Sequence, residues 1–325
     1  MFLEALQDIL VDHAGSAAIR AIEAGGRGVE VWQPIEDAGF LALMLPESQG
    51  GAALPLSELF PILDCLGRHA LPLPVAQSIV ARALVGEGAE LPPGMLTLGL
   101  QWQRQPDGGM ACLHTPAGMV AEHVLVADTD RLLLLALSDA RREPVGDPRS
   151  LVAHLYWREA RPVQEWVAGG TSLAAHAAAL TAAQLSGAMQ RIFAMALDQC
   201  NTRVQFGKSI SKFQAVQQQL SVMAEHVLAA SIAAEAAFRS DTSTPRWLAA
   251  AVAKSRASEA AGLVAATAHA VHGAIGMTDE FDLGLLTRRL HAWRMQYGAE
   301  QYWNQQIGEQ LLDCGRTLAE FVREV

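Results

Sequence analysis

From about residue 170 to its end the chain reads as long helices joined by short links, and this run limits the possible folds more than any other feature. A first helix is expected from near Ser172 to about Asn201, with Leu180, Leu185, Met189, Phe193 and Leu197 along its apolar side. A second follows the polar stretch "RVQFGKSISKFQ" (203–214) and repeats Phe213, Val216, Leu220, Met223 and Val227 every three to four residues. That spacing lays apolar side chains on one helical face. Ser211 and Gln214 fit an S-x-x-Q capping box at its start. A third helix opens at "TPRW", with Thr244 as N-cap and Pro245 in the first helical position. It ends near "HGAIG", whose glycines suit a left-handed C-cap. A broken fourth segment covers roughly 283–322. Long helices with short links pack as an antiparallel four-helix bundle.

Two other textures precede the bundle. Residues 1–92 read as helical, with breaks at "EAGGRG" (23–28) and "LPESQGGAALP" (45–55). Between Leu56 and Ala70, Leu59, Phe60, Ile62, Leu63 and Leu66 recur at helical spacing, and the prolines of "LGRHALPLP" end the helix. Residues 93–168 hold short apolar runs, "MLTLGL", "EHVLVADTDRLLLLAL" and "SLVAHLYW", separated by Gly, Asp and Pro, with "PDGG" (106–109) as a turn. Strands joined by turns have that pattern. The expected fold class is therefore mainly α with a small β domain. An N-terminal helical domain (1–92) leads to a small β domain (93–168) and a C-terminal four-helix bundle (169–325).

Composition narrows the function. Of 325 residues, 51% are hydrophobic and 18% charged, which describes a globular chain. The formal net charge of −10, without a long Lys/Arg block, argues against nucleic acid or an anionic membrane as partner. Cys65, Cys112, Cys200 and Cys314 lie far apart with no CxxC spacing, so reduced, mostly buried thiols are expected. The segment "MFLEALQDILVDHAG" has acids and no basic region before its apolar residues, unlike a secretory signal. No apolar run approaching the roughly 20 residues of a bilayer span stands out. The expectation is a cytoplasmic protein.

The stretch 203–214 joins an arginine, a glycine turn and a helix N-terminus. Free N–H groups and the helix dipole favour a phosphate there, and Arg203 can grip one bidentately. Phe206 can pack on a ring, and Gln205 and Gln214 can bond to an adenine edge or a ribose. The same residue types also serve as surface and cap residues at ordinary helix junctions.

"RVQFGKSISKFQAVQQQLSVMA" resembles the signature of the acyl-CoA dehydrogenase family, an Arg-x-x-Phe-Gly-Lys followed by a Gln at the next helix. "GFLALMLPESQGGAALPLSELFPILDCLGR" (39–68) resembles its N-terminal domain with a Pro-Glu-x-x-Gly-Gly turn, and "AVHGAIGMTDEFDLGLLTRRLHAWRMQYGAEQ" (270–301) its cofactor-loop segment. The resemblance spans nearly the whole chain, strongly in the bundle and weakly in the β region. It implies an FAD-dependent oxidoreductase that removes hydrogen from Cα and Cβ of an acyl-CoA thioester, passing electrons to an electron-transfer flavoprotein or similar acceptor. Carried over, Arg203, Gln205, Phe206 and Gln214 would contact the pyrophosphate and adenine half of FAD, with Gly273 and Gly276 at the glycine turn.

The departures are informative. Where the family usually carries a glutamate base just before a glycine stands Tyr297, a poor base at an ordinary pKa near 10. Glu300 lies three residues on. The alternative glutamate position, on the first bundle helix, falls at about Ala177, beside His176. The Thr-Glu-Pro-x-x-Gly-Ser-Asp stretch has no equivalent, and Ala270 replaces a glutamine that often precedes the "HG" turn. Shortened subunits of α2β2 bacterial acyl-CoA dehydrogenases show this combination, so the chain resembles the partner without the base. The resemblance leaves open a homo- or hetero-oligomer, with a dimer of dimers expected. Alternatives are a structural subunit completing a partner's FAD site and a same-fold flavin monooxygenase.

Other constellations point to nothing further. His269 and His272 lack companion metal ligands at suitable spacing. In "MAEHV", Glu225 directly precedes His226, which is not the Glu-x-x-His of a di-iron bundle. "TDEFD" (278–282) reads as a solvated turn or helix start. Arg288, Arg289 and Arg294 form a basic face that could meet CoA phosphates, though pairing with acids of another subunit is the favoured expectation.

Overall fold

The computed structural model describes residues 1–85, 91–170, 172–240 and 242–323. By packing, the chain divides into two compact units. Unit 1 comprises Met1–Leu59, Leu71–Ala177 and a short stretch ending at Thr244, and unit 2 comprises Phe60–Ala70, Ala178–Ser240 and Pro245–Val325.

Unit 1 opens with α1 (Phe2–His13), α2 (Ser16–Glu23) and α3 (Val29–Asp37), continues with the start of α4 (Leu56–Arg68), and later holds α5 (Val75–Leu84). The "PESQGG" break is a 3-10 turn in which Gly50 takes φ +75° and Gly51 donates to the Pro46 carbonyl at 3.1 Å. A Cβ on Gly51 would collide with the Leu45 carbonyl, so the turn needs glycine at that place.

The strands are β1 (Leu96–Gly99), β2 (Gln101–Arg104), β3 (Met110–Thr115), β4 (His123–Asp128), β5 (Arg131–Ala136), β6 (Arg141–Pro144), β7 (Ala153–Trp157) and β8 (Pro162–Val167). They form two sheets, ordered β1-β4-β5-β8 and β2-β3-β7-β6, antiparallel except for the β1–β4 pair. In β5, Leu132–Leu135 are all buried, which is why this strand reads as an unbroken apolar run rather than an alternation. β7 buries alternate residues, Ala153, Leu155 and Trp157, the pattern of a half-covered strand. The polar strands β2, β6 and β8 are the ones that apolar patterning does not reveal. Ser78 ties α5 to β1, its hydroxyl accepting from Leu96 N and donating to Leu96 O, both at 2.9 Å.

Unit 2 is a helical bundle. It holds most of α6 (Leu173–Thr202), the hairpin β9 (Val204–Gln205) and β10 (Lys208–Ser209), then α7 (Gln214–Ala236), α8 (Trp247–His272), α9 (Leu283–Met295), α10 (Glu300–Asp313) and α11 (Leu318–Val322). α8 is the central helix, packed by α7, α9 and α10. Its buried face is mostly alanine, including Ala250, Ala253, Ala257, Ala260, Ala261 and Ala268, and small side chains let neighbouring helices come close.

α4 and α6 cross at glycines. A Cβ on Gly67 would strike the Gln184 backbone, and one on Gly187 would strike the Asp64 carbonyl. Beside the crossing, buried Asp64 accepts from Ser186 Oγ (2.9 Å), Gln190 Nε2 (2.9 Å) and Arg68 Nε (2.8 Å).

Several local expectations are corrected. α7 begins at Gln214 with Phe213 as N-cap, so Ser211 and Gln214 form no capping box; Ser211 lies in a 3-10 turn that Ser209 caps through its hydroxyl. α8 begins at Trp247 with Arg246 as N-cap, two residues beyond the Thr244–Pro245 start read from sequence. The helical stretch Trp247–Met277, with mean hydropathy 1.3 in its most apolar window, is long and apolar enough by composition to cross a membrane, which the sequence reading overlooked. Built from alanines rather than leucines and interrupted by Lys254, Arg256 and Glu259, it escapes notice as a run, and here it is the core helix of the bundle. Cys65, Cys112 and Cys200 are buried free thiols, and Cys314 is half-buried.

Candidate functional site

The residues singled out around 203–214 and 273–276 all belong to unit 2. α6 ends as the Thr202 hydroxyl donates back to Asp198 O at 2.9 Å, and Arg203 follows with its N–H still on Gln199 O. β9 and β10 then form a two-residue hairpin, with Gln205 opposite Lys208. Its turn residues, Phe206 and Gly207, take φ +50° and +77°, the primed geometry that matches strand twist. This turn projects Phe206 into solvent at 91% exposure. Phe206 meets Phe213 edge-on with centroids 6.1 Å apart, and Lys208 Nζ lies 4.4 Å over the Phe213 ring. Gln205 and Gln214 are exposed, the latter in the first turn of α7, where no side chain caps the helix. Orphan N–H groups of that kind suit an anion.

The second part of the site is the end of α8. Arg203 Nη1 donates to His272 O at 3.1 Å, bringing together residues 69 apart in sequence. Gly273 follows with φ +67° and ψ −142°, a conformation in effect reserved for glycine and different from the left-handed cap expected there. A Cβ on it would lie 3.3 Å from Arg203 Nη1. Buried Gly276 has another reason for its identity, since a Cβ would lie 2.9 Å from His272 Cβ and 3.0 Å from Leu283 Cδ2. Arg203 and Gly273 are thus adjacent, with Gly276 one turn further on.

Beside this loop sit two histidines whose nitrogens are only half used. The Thr287 hydroxyl donates to Leu283 O, so His269 Nε2 is the donor in its 2.9 Å bond to Thr287 Oγ1. His272 Nδ1 donates to Ala268 O at 2.7 Å. Among the described residues, His269 Nδ1 and His272 Nε2 are buried lone pairs without a hydrogen-bond partner. Burial, with His272 and His291 nearby, holds the His269 pKa below its ordinary value.

The place expected for the base is the turn between α9 and α10. Tyr297 is buried there at φ +57°, followed by Gly298 at φ +98°. Glu300 opens α10 and is bound on both oxygens by Arg294, Nε to Oε2 at 3.0 Å and Nη2 to Oε1. These bonds hold its carboxyl below the usual range. Arg294 therefore pairs within its own chain, and Arg289 is buried against the Trp293 ring, so the three arginines do not form the open basic face expected. In unit 1, the alternative position holds buried Ala177 and His176, whose Nδ1 and Nε2 face the carbonyls of Ser172 (2.9 Å) and Ser243 (3.3 Å).

Sequence reasoning missed Lys254. It is wholly buried on α8 and donates to Ser258 Oγ (2.7 Å), Arg294 O (2.9 Å) and Gly298 O (2.8 Å). The signal was present, as a lone lysine among the alanines of "LAAAVAKSRASEAA".

The fold and the residue pattern of this unit define the class. Residues 170–312 match the family model for the acyl-CoA dehydrogenase C-terminal domain, and the chain has the acyl-CoA dehydrogenase fold. Among particular relatives, it is 29% identical over 300 residues to acyl-CoA dehydrogenase IpdE2 of Mycobacterium tuberculosis, covering 90% of each chain. It shares its fold with a chain of the ChsE4-ChsE5 complex from Mycobacterium tuberculosis (TM-score 0.81, 21% identity, 96% of each chain covered). The Tcur3481-Tcur3483 steroid ACAD is equally similar (TM-score 0.80, 22% identity, 97% of this chain and 98% of that one).

Proposed function

We propose that this chain is the subunit without its own carboxylate base in a hetero-oligomeric, FAD-dependent acyl-CoA dehydrogenase that desaturates a bulky acyl-CoA thioester between Cα and Cβ. One observation carries this reading: a surface suited to a dinucleotide's anionic half occurs together with a base position that holds no available carboxylate. Arg203, anchored on His272 O beside Gly273, presents its guanidinium for bidentate binding of a pyrophosphate. Glycine at 273, where a Cβ would lie 3.3 Å from Arg203 Nη1, leaves the space beside that guanidinium open for such a group. Gln205 and Gln214 offer amides to an adenine or ribose, and Phe206 offers an exposed ring for stacking. Gly276 lets the loop pack on His272 and Leu283. FAD, when bound, supplies the acceptor for the β hydride.

Removal of the α proton needs a base in reach of the thioester. In this turn Tyr297 stands where a carboxylate would be, and Arg294 keeps Glu300 ionised and engaged. A carboxylate from an unlike partner chain completes the reading. So do an electron-transfer flavoprotein or similar acceptor, a dimer of dimers and a cytoplasmic setting. Two fold relatives are described as pairs of differently named proteins, which supports an unlike partner. The engaged Glu300 equally favours a second reading, a non-catalytic subunit that completes the partner's FAD site, while a same-fold monooxygenase would need no such base.

The test is to express the chain alone and with its genomic neighbour, and to record visible absorption and oligomer size. A colourless lone chain that becomes a yellow tetramer with the neighbour is the expected result, whereas a yellow homo-oligomer from the lone chain overturns the shared-site reading. In the complex, Arg203→Gln should lower flavin retention at least about tenfold, the loss of one charge-assisted contact. Turnover of the complex separates the catalytic reading from the structural one.

A further inference from the structure

The turn between α9 and α10 is held by a charge from a third helix. Helix ends leave their last carbonyls without intrahelical donors. Arg294 O and Gly298 O, on either side of Tyr297, both accept from the Lys254 ammonium, and its third N–H goes to Ser258 Oγ. Tyr297 O, between them, accepts from the Trp303 indole N–H at 3.1 Å. The turn therefore takes its donors from α8 and α10. It also holds a left-handed tyrosine, a conformation that costs a non-glycine residue on the order of 1–2 kcal/mol. Such a conformation persists only where the surroundings over-determine it. A buried ammonium is a poor choice for stability alone, because an apolar side chain of similar volume avoids the desolvation cost. What it provides, and a methionine cannot, is three directed donors at one point.

We infer that Lys254 is a positioning residue that fixes the α9–α10 turn and, through it, the placement of the Tyr297 side chain. The importance of that placement rests on the reading that the turn borders the reacting end of the site; the pinning itself does not. The charged groups facing Lys254 are Arg294 from the end of α9 and Glu300 from the start of α10, which pair with each other. Burial lowers the lysine pKa to about 7, against a smaller upward pull from Glu300. Deprotonation removes the charge and one N–H, so Ser258 Oγ turns from acceptor to donor and the two carbonyls are held by weaker, neutral hydrogen bonds as pH rises through neutrality.

The experiment is nitrogen-15 NMR of the full chain without added flavin, following the Trp303 indole N–H from about pH 6 to 8.5, with assignment by its loss in Trp303→Phe. The wild-type resonance is expected to move in a single step centred near 7. In Lys254→Met it should be displaced and flat across that window. A flat wild-type profile, or the same step in Lys254→Met, overturns the proposal. If that variant does not fold, Ser258→Ala decides: losing one acceptor for the ammonium should move the midpoint down by roughly half a unit, and an unmoved midpoint overturns the assignment. Flavin binding enters none of these readouts, so failure of the flavoenzyme reading leaves this result standing, and the reverse holds too.

Discussion

Gly273 and Tyr297 both hold positive φ, yet their substitutions should act for different reasons. At Gly273 the backbone angles exclude any other residue, and a Cβ would also crowd Arg203. Gly273→Ala should therefore destabilise the chain by about 1–3 kcal/mol in urea unfolding and displace Arg203. At Tyr297 glycine relieves the backbone strain but removes a buried ring, so Tyr297→Gly should destabilise by about 1–4 kcal/mol, the lost packing outweighing the roughly 1–2 kcal/mol of strain released. Glu300 gives a pH prediction. Bonds from Arg294 depress its folded pKa, so its stabilisation is present above the unfolded carboxylate range near ~4.3 and is lost as pH falls through the folded value. Because the pair is partly exposed, the contribution is about 0.5–1 kcal/mol. The stability difference between wild type and Glu300→Gln should shrink toward zero on acidification, and a constant difference would refute this account.

Between helices, the α4–α6 crossing is the contact least tolerant of change. Gly187→Ala places a methyl group against the Asp64 carbonyl, and the helices must separate to admit it. A loss of about 2–3 kcal/mol is expected by chemical denaturation. Asp64→Ala should cost a similar ~2–3 kcal/mol by leaving Ser186, Gln190 and Arg68 without their shared acceptor. Helix periodicity in α4, α6 and α7 was legible because apolar spacing reports the buried face: Leu63, Leu66, Leu180, Leu185, Leu220 and Met223 are all buried. The ends of α7 and α8 were not. Ser211 and Thr244 carry capping chemistry, but Ser209 caps a 3-10 turn at Ile210–Lys212 ahead of α7, and α8 starts only at Trp247 with no side-chain cap. Likewise β2, β6 and β8 exist because a neighbouring strand offers hydrogen bonds, and no apolar pattern announces that.

For the whole molecule, the order of helical, β and helical textures, together with the Arg203–Gln214 and 270–301 motifs, made the acyl-CoA dehydrogenase fold readable before any coordinates. Phe206 tests the assembly at this scale: it is exposed in the single chain, so Phe206→Ser should leave the melting temperature of the lone chain unchanged within about a degree and weaken flavin retention or assembly with the partner. A drop in the lone chain's stability would refute an outward role for that ring. Sequence by itself determined the class of fold, the glycines that its turns require and the presence of Tyr297 rather than a carboxylate before Gly298, because backbone freedom, side-chain chemistry and apolar spacing are local properties. Tertiary structure alone decided that Arg294 engages Glu300, that Arg203 rests beside Gly273, and that Lys254 reaches across 40 and 44 residues to hold a turn. Which donor meets which acceptor, and whether water is excluded there, depends on how distant segments pack.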